Sequence, residues 1–172
     1  MRNLLSRLFS PPPYQQQAHL VYVRLVEQAR APFLYSECCV PDTLDGRFDA
    51  VILHVWLLLR RLRMEPRENT AQFQQFLQET FFADMDRSIR EMGSTDTGVG
   101  KRIKAMAQAF FGRISAYDEA ADDEALRRVL VRNLYREKAP DDAALTQLIT
   151  YIRSQQQRLE QCLLADILAA KF

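Results

Sequence analysis

From Phe48 to Leu59 the chain is apolar but for Asp49 and His54, and three arginines, Arg60, Arg61 and Arg63, close the run. Phe48, Val51, Ile52, Val55, Trp56, Leu59 and Leu62 recur at the three-and-four spacing that stacks side chains on one helical face. Leu57 and Leu58 carry the apolar surface around the back, and a helix apolar on nearly all sides must be surrounded by other elements. Asp42, Asp45 and Asp49 stand where the positive end of the helix dipole favours carboxylates, and the arginines stand where its negative end favours cations. Residues from about 46 to 63 are therefore predicted to form a central buried helix. The uncharged part of the run falls far short of the roughly 20 residues that a bilayer core requires, so a membrane span is rejected.

A buried helix needs partners, and the rest of the chain supplies helical patterns. In the first segment, Tyr14 to Ala31, Leu20, Val23, Leu25, Val26 and Ala29 mark the inward face, and Pro32 ends it. The link from Pro32 to Asp42 reads as a loop anchored by Phe33 and Tyr35. Thr70 to Met92 presents Phe73, Phe76, Leu77, Phe81, Met85, Ile89 and Met92, with Gly93 at the position of a C-cap. Phe82 projects about 100° from Phe81, toward the margin of that face, and is a candidate for exposure. A helix resumes near Val99, its inward side made by Ile103, Met106, Ala107, Phe110, Ile114 and Tyr117, with Phe111 at the edge. Asp122 and Asp123 open the next helix, expected to run to about Ala139. Asp141 and Asp142 open the last, a long C-terminal helix from about 141 whose stripe runs through Leu145, Leu148, Ile149, Ile152, Leu159, Leu163 and Ile167. Its second half, beyond Gln155 to Gln157, is expected to pack differently or to reach past the domain. Strand and hairpin signals are missing. The fold class is all-α, a single-domain bundle of about six helices over residues 14–172, behind a flexible tail at residues 1–13.

At 172 residues one hydrophobic core is enough. A net charge of +1 gives no general affinity for nucleic acid. Three cysteines, Cys38, Cys39 and Cys162, are an odd number with two adjacent, a poor start for disulfides, so a reducing compartment is expected. The tail MRNLLSRLFSPPP is short and amphipathic. A frayed terminus, a weak membrane-surface contact and a short transit peptide are all compatible with it.

Little points to chemistry. Two histidines, His19 and His54, rule out sites built from several. The di-iron sites of helical bundles need Glu-x-x-His pairs, but Val51 stands three residues before His54. His54 is read as a core histidine bonded to a neighbour. Asp96-Thr97-Gly98 matches the aspartic-protease triplet only out of its β-rich setting, and Gly98 to Lys101 falls short of a phosphate loop. Rings are the more useful feature. Phe33, Tyr35, Trp56, Phe81, Phe82, Phe110, Phe111 and Tyr117 exceed what single helix faces need, so some are expected to line a surface groove, with Arg47, Arg60 and Arg113 at its rim. The other reading places every ring in the core.

The segment LYSECCVPDTLDGRFDAVILHVWLLLRRL, then FFADMDRSIREMG, FGRISAY at Phe111–Tyr117 and RNLY at Arg132–Tyr135, resembles the ubiquinol-cytochrome c chaperone family over roughly Tyr22 to Arg136. The resemblance implies a helical assembly factor, not an enzyme and without cofactor, that binds newly made cytochrome b and helps deliver it into the cytochrome bc complex. Phe33, Tyr35, Arg47, Phe82, Phe111, Arg113 and Tyr117 are then the candidate client-binding residues. Pro41, Asp42, Asp45, Gly46, Phe48, His54 and Trp56 are the structural residues of the family motif. Family members carry a small residue such as glycine where Cys39 stands. Mitochondrial members work with a second assembly factor and near the ribosome. The short chain suggests a bacterial form acting at the cytoplasmic side of the inner membrane. The rival readings are a helical enzyme handling quinone or haem, and a peripheral membrane protein without a client.

Overall fold

The structure is a computed structural model that describes residues 14–91 and 96–172. The expected tail at residues 1–13 and the helix stop at Gly93 lie outside the described residues. In chain order the helices are α1 (Gln15–Ala29), α2 (Pro32–Ser36), α3 (Leu44–Arg63), α4 (Glu68–Glu91), α5 (Asp96–Glu119), α6 (Asp123–Asn133), α7 (Asp142–Gln161) and α8 (Leu164–Leu168). Six of these have eleven residues or more, and α2 and α8 are single turns of five. The bundle is all-α, as the periodicity predicts.

Local chemistry sets the helix starts. The Thr43 hydroxyl accepts from the Gly46 N–H at 3.1 Å and opens α3. The carboxylates of Asp122 and Asp141 each accept, at 2.7 Å, from the N–H three residues on and open α6 and α7. Such caps satisfy amide donors that the first helical turn cannot, typically contributing about 1 kcal/mol each.

α3 is the axis. Every side chain from Asp49 to Leu59 is buried, because α1, α4, α5 and α7 all pack on it. One continuous core runs from Ala18 of α1 to Ile167 of α8. Each fully buried Leu, Ile or Phe in it contributes roughly 1.5–3 kcal/mol. α4 and α5 form an antiparallel hairpin whose far half departs from this core. Ile89 and Val99 are buried there but stand outside the main cluster.

Four local expectations need correction. On α1 the buried stripe is Ala18, Val21, Tyr22, Leu25 and Ala29, whereas Leu20 and Val23 face outward at 51% and 41% exposure. Both sets fit a 3.6-residue period, and the tertiary packing chose between them. The link after Pro32 is not all loop: proline opens the single turn α2, where its missing N–H costs nothing. α6 stops at Asn133 rather than near Ala139, since Arg136 and Glu137 adopt left-handed backbone. The long C-terminal helix from about 141 ends at Gln161. Cys162 and Leu163 are extended, and α8 turns back onto α1 to bury Ile167 while Leu163 stays 70% exposed.

Candidate functional site

The corner where the chain enters α3 gathers the motif residues Pro41 to Phe48. Gly46 is buried so closely against Pro41 that a Cβ would stand 2.0 Å from the Pro41 carbonyl oxygen, so only glycine fits. Asp42 and Arg47 pair at 2.7 Å on the surface, and the Arg47 guanidinium holds the Asp42 carboxyl below its usual range. Asp45 is exposed and pairs with Arg136 at 3.2 Å.

One turn inside the same helix, Asp49 is fully buried. Its carboxylate lies 2.8 Å from Arg113 Nε of α5 and 3.2 Å from Arg136 Nη2 beyond α6. The Arg136 contact is a hydrogen bond. The Arg113 contact is close but misaligned, leaving Arg113 Nε and Asp49 Oδ1 as an ion pair without a hydrogen bond between them. Burial pushes the Asp49 carboxyl up to about 6, against the pull of both arginines. The Arg113 guanidinium also sits over the Phe48 ring at 5.9 Å. Tyr117 stacks on Trp56 at 5.0 Å between centroids. It is sealed in the core with its hydroxyl unpaired.

The seven candidate client residues therefore do not form one surface. Tyr117 cannot line a groove, because it fills the space beside Trp56, and Arg113 is largely occupied by Asp49. Phe33, half-buried on α2, meets Tyr151 of α7 edge-on at 4.8 Å. Tyr35 donates to the Ala29 carbonyl at 2.7 Å and lies near Arg47. Phe82 and Phe111 do come together, 6.2 Å apart on α4 and α5. They end a ladder of rings that starts in the core: Tyr22 meets Phe81, Phe81 meets Phe110, and both Phe82 and Phe111 lie on Phe110 at 5.4 and 5.2 Å. Phe82 is half-buried rather than exposed, because Phe81 and Phe110 cover one side of it. Phe111 is 55% exposed. A shallow depression of about 490 Å³ adjoins Phe82, floored by Ala71, Gln74, Gln75, Gln78 and Glu79 of α4. Half of the ring surplus is therefore interior: Trp56, Phe81, Phe110 and Tyr117 are all buried, Phe33, Tyr35 and Phe82 are half-buried, and Phe111 is exposed.

His54 is held from both sides. Its Nδ1–H donates to the Ala50 carbonyl at 2.7 Å, and its Nε2 accepts from the Tyr151 hydroxyl at 2.8 Å. Burial pushes its pKa down to about 4, which keeps the ring neutral. Trp56 donates to Asp118 at 2.8 Å. Among the described residues no group of His, Cys, Asp and Glu could hold a metal ion, and no helix is long and apolar enough to cross a membrane.

Sequence reasoning missed three working side chains. Asp49 reads in the sequence as a dipole partner, yet its place three residues after Gly46 and seven before Trp56 puts it on the buried face. Arg61, which the sequence marks only as a cation at the negative end of the helix dipole, is buried and donates to the carbonyls of Leu159 and Cys162 at 2.9 and 3.1 Å. It thereby ties off the end of α7. Tyr135 donates to the Cys38 carbonyl at 2.6 Å. Nothing in the local sequence marks either of these contacts, since the partners lie about a hundred residues away.

The fold has a counterpart in a solved structure, and the chain has relatives among known proteins. Residues 36–172 match the family model described as ubiquinol-cytochrome C chaperone. The chain is 29% identical to the ubiquinol-cytochrome-c reductase complex assembly factor 1 of Xenopus laevis over 142 residues, covering 81% of this chain and 70% of that protein. It is 29% identical to the human protein of the same description over 150 residues, 86% of this chain and 50% of that one. To the mitochondrial protein CBP3 of Saccharomyces cerevisiae it is 31% identical over 130 residues, 73% and 39% of the two chains. The chain thus spans half or less of the human and yeast relatives. The crystal structure of the Cbp3 homolog from Brucella abortus superposes with a TM-score of 0.81 at 30% identity, covering 98% of this chain and 95% of that one. With the family model spanning the motif corner, the central helix and the closing turn, the chain belongs to the ubiquinol-cytochrome c chaperone family, a family of assembly factors and not of enzymes.

Proposed function

We propose that this protein is an assembly chaperone of the cytochrome bc complex that binds newly made cytochrome b, and that the client's apolar surface docks on the Phe82–Phe111 end of the ring ladder. The assembly role is supported by the family and by relatives named as assembly factors of ubiquinol-cytochrome c reductase. The observation that carries the docking site is Phe111, a large ring left 55% exposed yet braced from behind by Phe110 and Phe82. A braced ring offers apolar area with little side-chain entropy left to lose, which is how aromatic anchors gain affinity. The energy of capture comes from apolar burial at about 25 cal/mol per Å², before the costs of association. No nucleotide is required. A second assembly factor and the ribosome are further partners in this reading, and the cytoplasmic side of a bacterial inner membrane is the site of action.

The test is crosslinking of the chain to cytochrome b in cells making the complex. Phe111→Glu should keep the helical circular dichroism and melting temperature of the parent while reducing client capture at least tenfold. Normal capture by a folded Phe111→Glu, Phe82→Glu double variant would place the docking surface elsewhere.

A further inference from the structure

Among the described residues five other than glycine have left-handed backbone: Tyr14 and Ala170 close to the two ends, and between them Cys39 at φ 55, Arg136 at φ 51 and Glu137 at φ 64. Residues with a Cβ enter this region only at a cost, and persist there when surrounding contacts over-determine them. The three lie on two segments that are stitched together, because the Tyr135 hydroxyl donates to the Cys38 carbonyl at 2.6 Å. Few groups hold the strained pair 136–137 in place. The Glu137 and Lys138 amides bond to the carbonyls of Val131 and Tyr135 at 3.0 Å each. The only side chain among the four that reaches across the molecule with charge is Arg136, half-exposed, which spans Asp45 and the buried Asp49 at 3.2 Å.

We propose that Arg136, seated on Asp45 and Asp49, is the catch of a latch: it holds residues 135–138 and 38–40 in a strained closed form, and both segments open together when the catch is withdrawn. The energetic logic is local. Strain in two consecutive residues pushes the turn outward, and a charge-assisted contact to a fully buried carboxylate pulls it in. Withdrawing the arginine leaves Asp49 still paired with Arg113, so the core keeps its counter-charge while the turn loses its anchor. The Tyr135–Cys38 bond then transmits the opening to the loop before α3, where the Val40 amide is bonded to the Leu34 carbonyl at 2.9 Å. The latch stands on the fold alone and is independent of where a client docks.

Residue-resolved amide hydrogen exchange on the full chain tests it. In Arg136→Gln the amides of Glu137, Lys138 and Val40 should exchange about tenfold faster or more, while those of Ile52 to Leu58 keep the parent's rates. Adding Glu137→Gly, which relieves the strain at 137 while leaving that at 136 and without restoring the charge, should return the three amides part of the way to the parent's rates, and adding Glu137→Ala should not. The inference is overturned if Arg136→Gln leaves the three amides unchanged, if it speeds the central helix equally, if Val40 does not follow the turn, or if the glycine variant gives no rescue.

Discussion

At Gly46 the missing side chain is a requirement. A Cβ there would meet the Pro41 carbonyl oxygen at 2.0 Å, a backbone atom that cannot swing aside. Gly46→Ala should therefore cost about 1–3 kcal/mol from overpacking, seen as a lower urea midpoint at unchanged slope. Gly112 is the internal control: nothing lies within 4 Å of its Cβ position, so Gly112→Ala should stabilise α5 by about 0.5–1 kcal/mol. Equal effects of the two substitutions would refute the steric argument. Cys39 poses the converse case. The family resemblance calls for a small residue such as glycine at this position, and the backbone here is left-handed at φ 55. Cys39→Gly should raise stability by about 1 kcal/mol, read from the same denaturation curves; a loss of stability would mean that the thiol makes a contact outweighing the strain. The sequence marks Gly46 and Cys39 as unusual through the resemblance, but not the carbonyl or the backbone angle that explains them.

Among the elements, α7 shows how a helix end is set from a distance. Its apolar stripe continues in register to Ile167, so nothing in the periodicity predicts the break after Gln161. Arg61, from the end of α3, bonds the carbonyls of Leu159 and Cys162, satisfying acceptors that a helix C-terminus leaves open. The break lets α8 turn back onto α1. Arg61→Met should preserve the buried stem and lose these charge-assisted bonds, costing about 2–4 kcal/mol. Its signature is faster amide exchange at Ala169 and Ala170, which bond within α8, ahead of any change in α3. If these amides keep their rates, α8 is held by Ile167 alone. The α4–α5 hairpin is the opposite kind of element, legible in length and facing but not in its exposed end. The same angular argument places Phe82 and Phe111 at the margins of their helices, and only the tertiary packing leaves Phe82 half-covered by Phe81 and Phe110 and Phe111 open.

For the molecule as a whole, two buried groups set opposing responses to acid. His54 is pushed down to about 4 from its ordinary 6.5 by burial, so its contribution to stability is complete above 6.5 and is lost as pH falls through 4. Asp49 is pushed up to about 6 from 3.8, so its contribution is complete below 3.8 and is lost as pH rises through 6. Each amounts to about 3 kcal/mol at most, and between pH 4 and 6.5 they nearly cancel. The groups facing them are Arg113, Arg136 and Asp45 around Asp49, and Tyr151 and Arg158 around His54. Stability measured from pH 7 to 4 should thus be flatter in the parent than in either variant. His54→Gln should gain stability on acidification relative to the parent, and Asp49→Asn should lose it. Parallel pH profiles in all three proteins would show that neither group's pKa differs between the folded and unfolded states. The sequence by itself determined the central helix, the all-helical class and the family, because a long apolar run, helical spacing and capping residues are local signals carried by neighbours in the chain. Only the tertiary structure decided that Asp49 meets Arg113 and Arg136, that Arg61 closes α7, that Tyr117 is interior and that Phe111 is left outside. Those outcomes depend on which faces of distant helices meet, and a side chain's burial is settled by its partners rather than by its own periodicity.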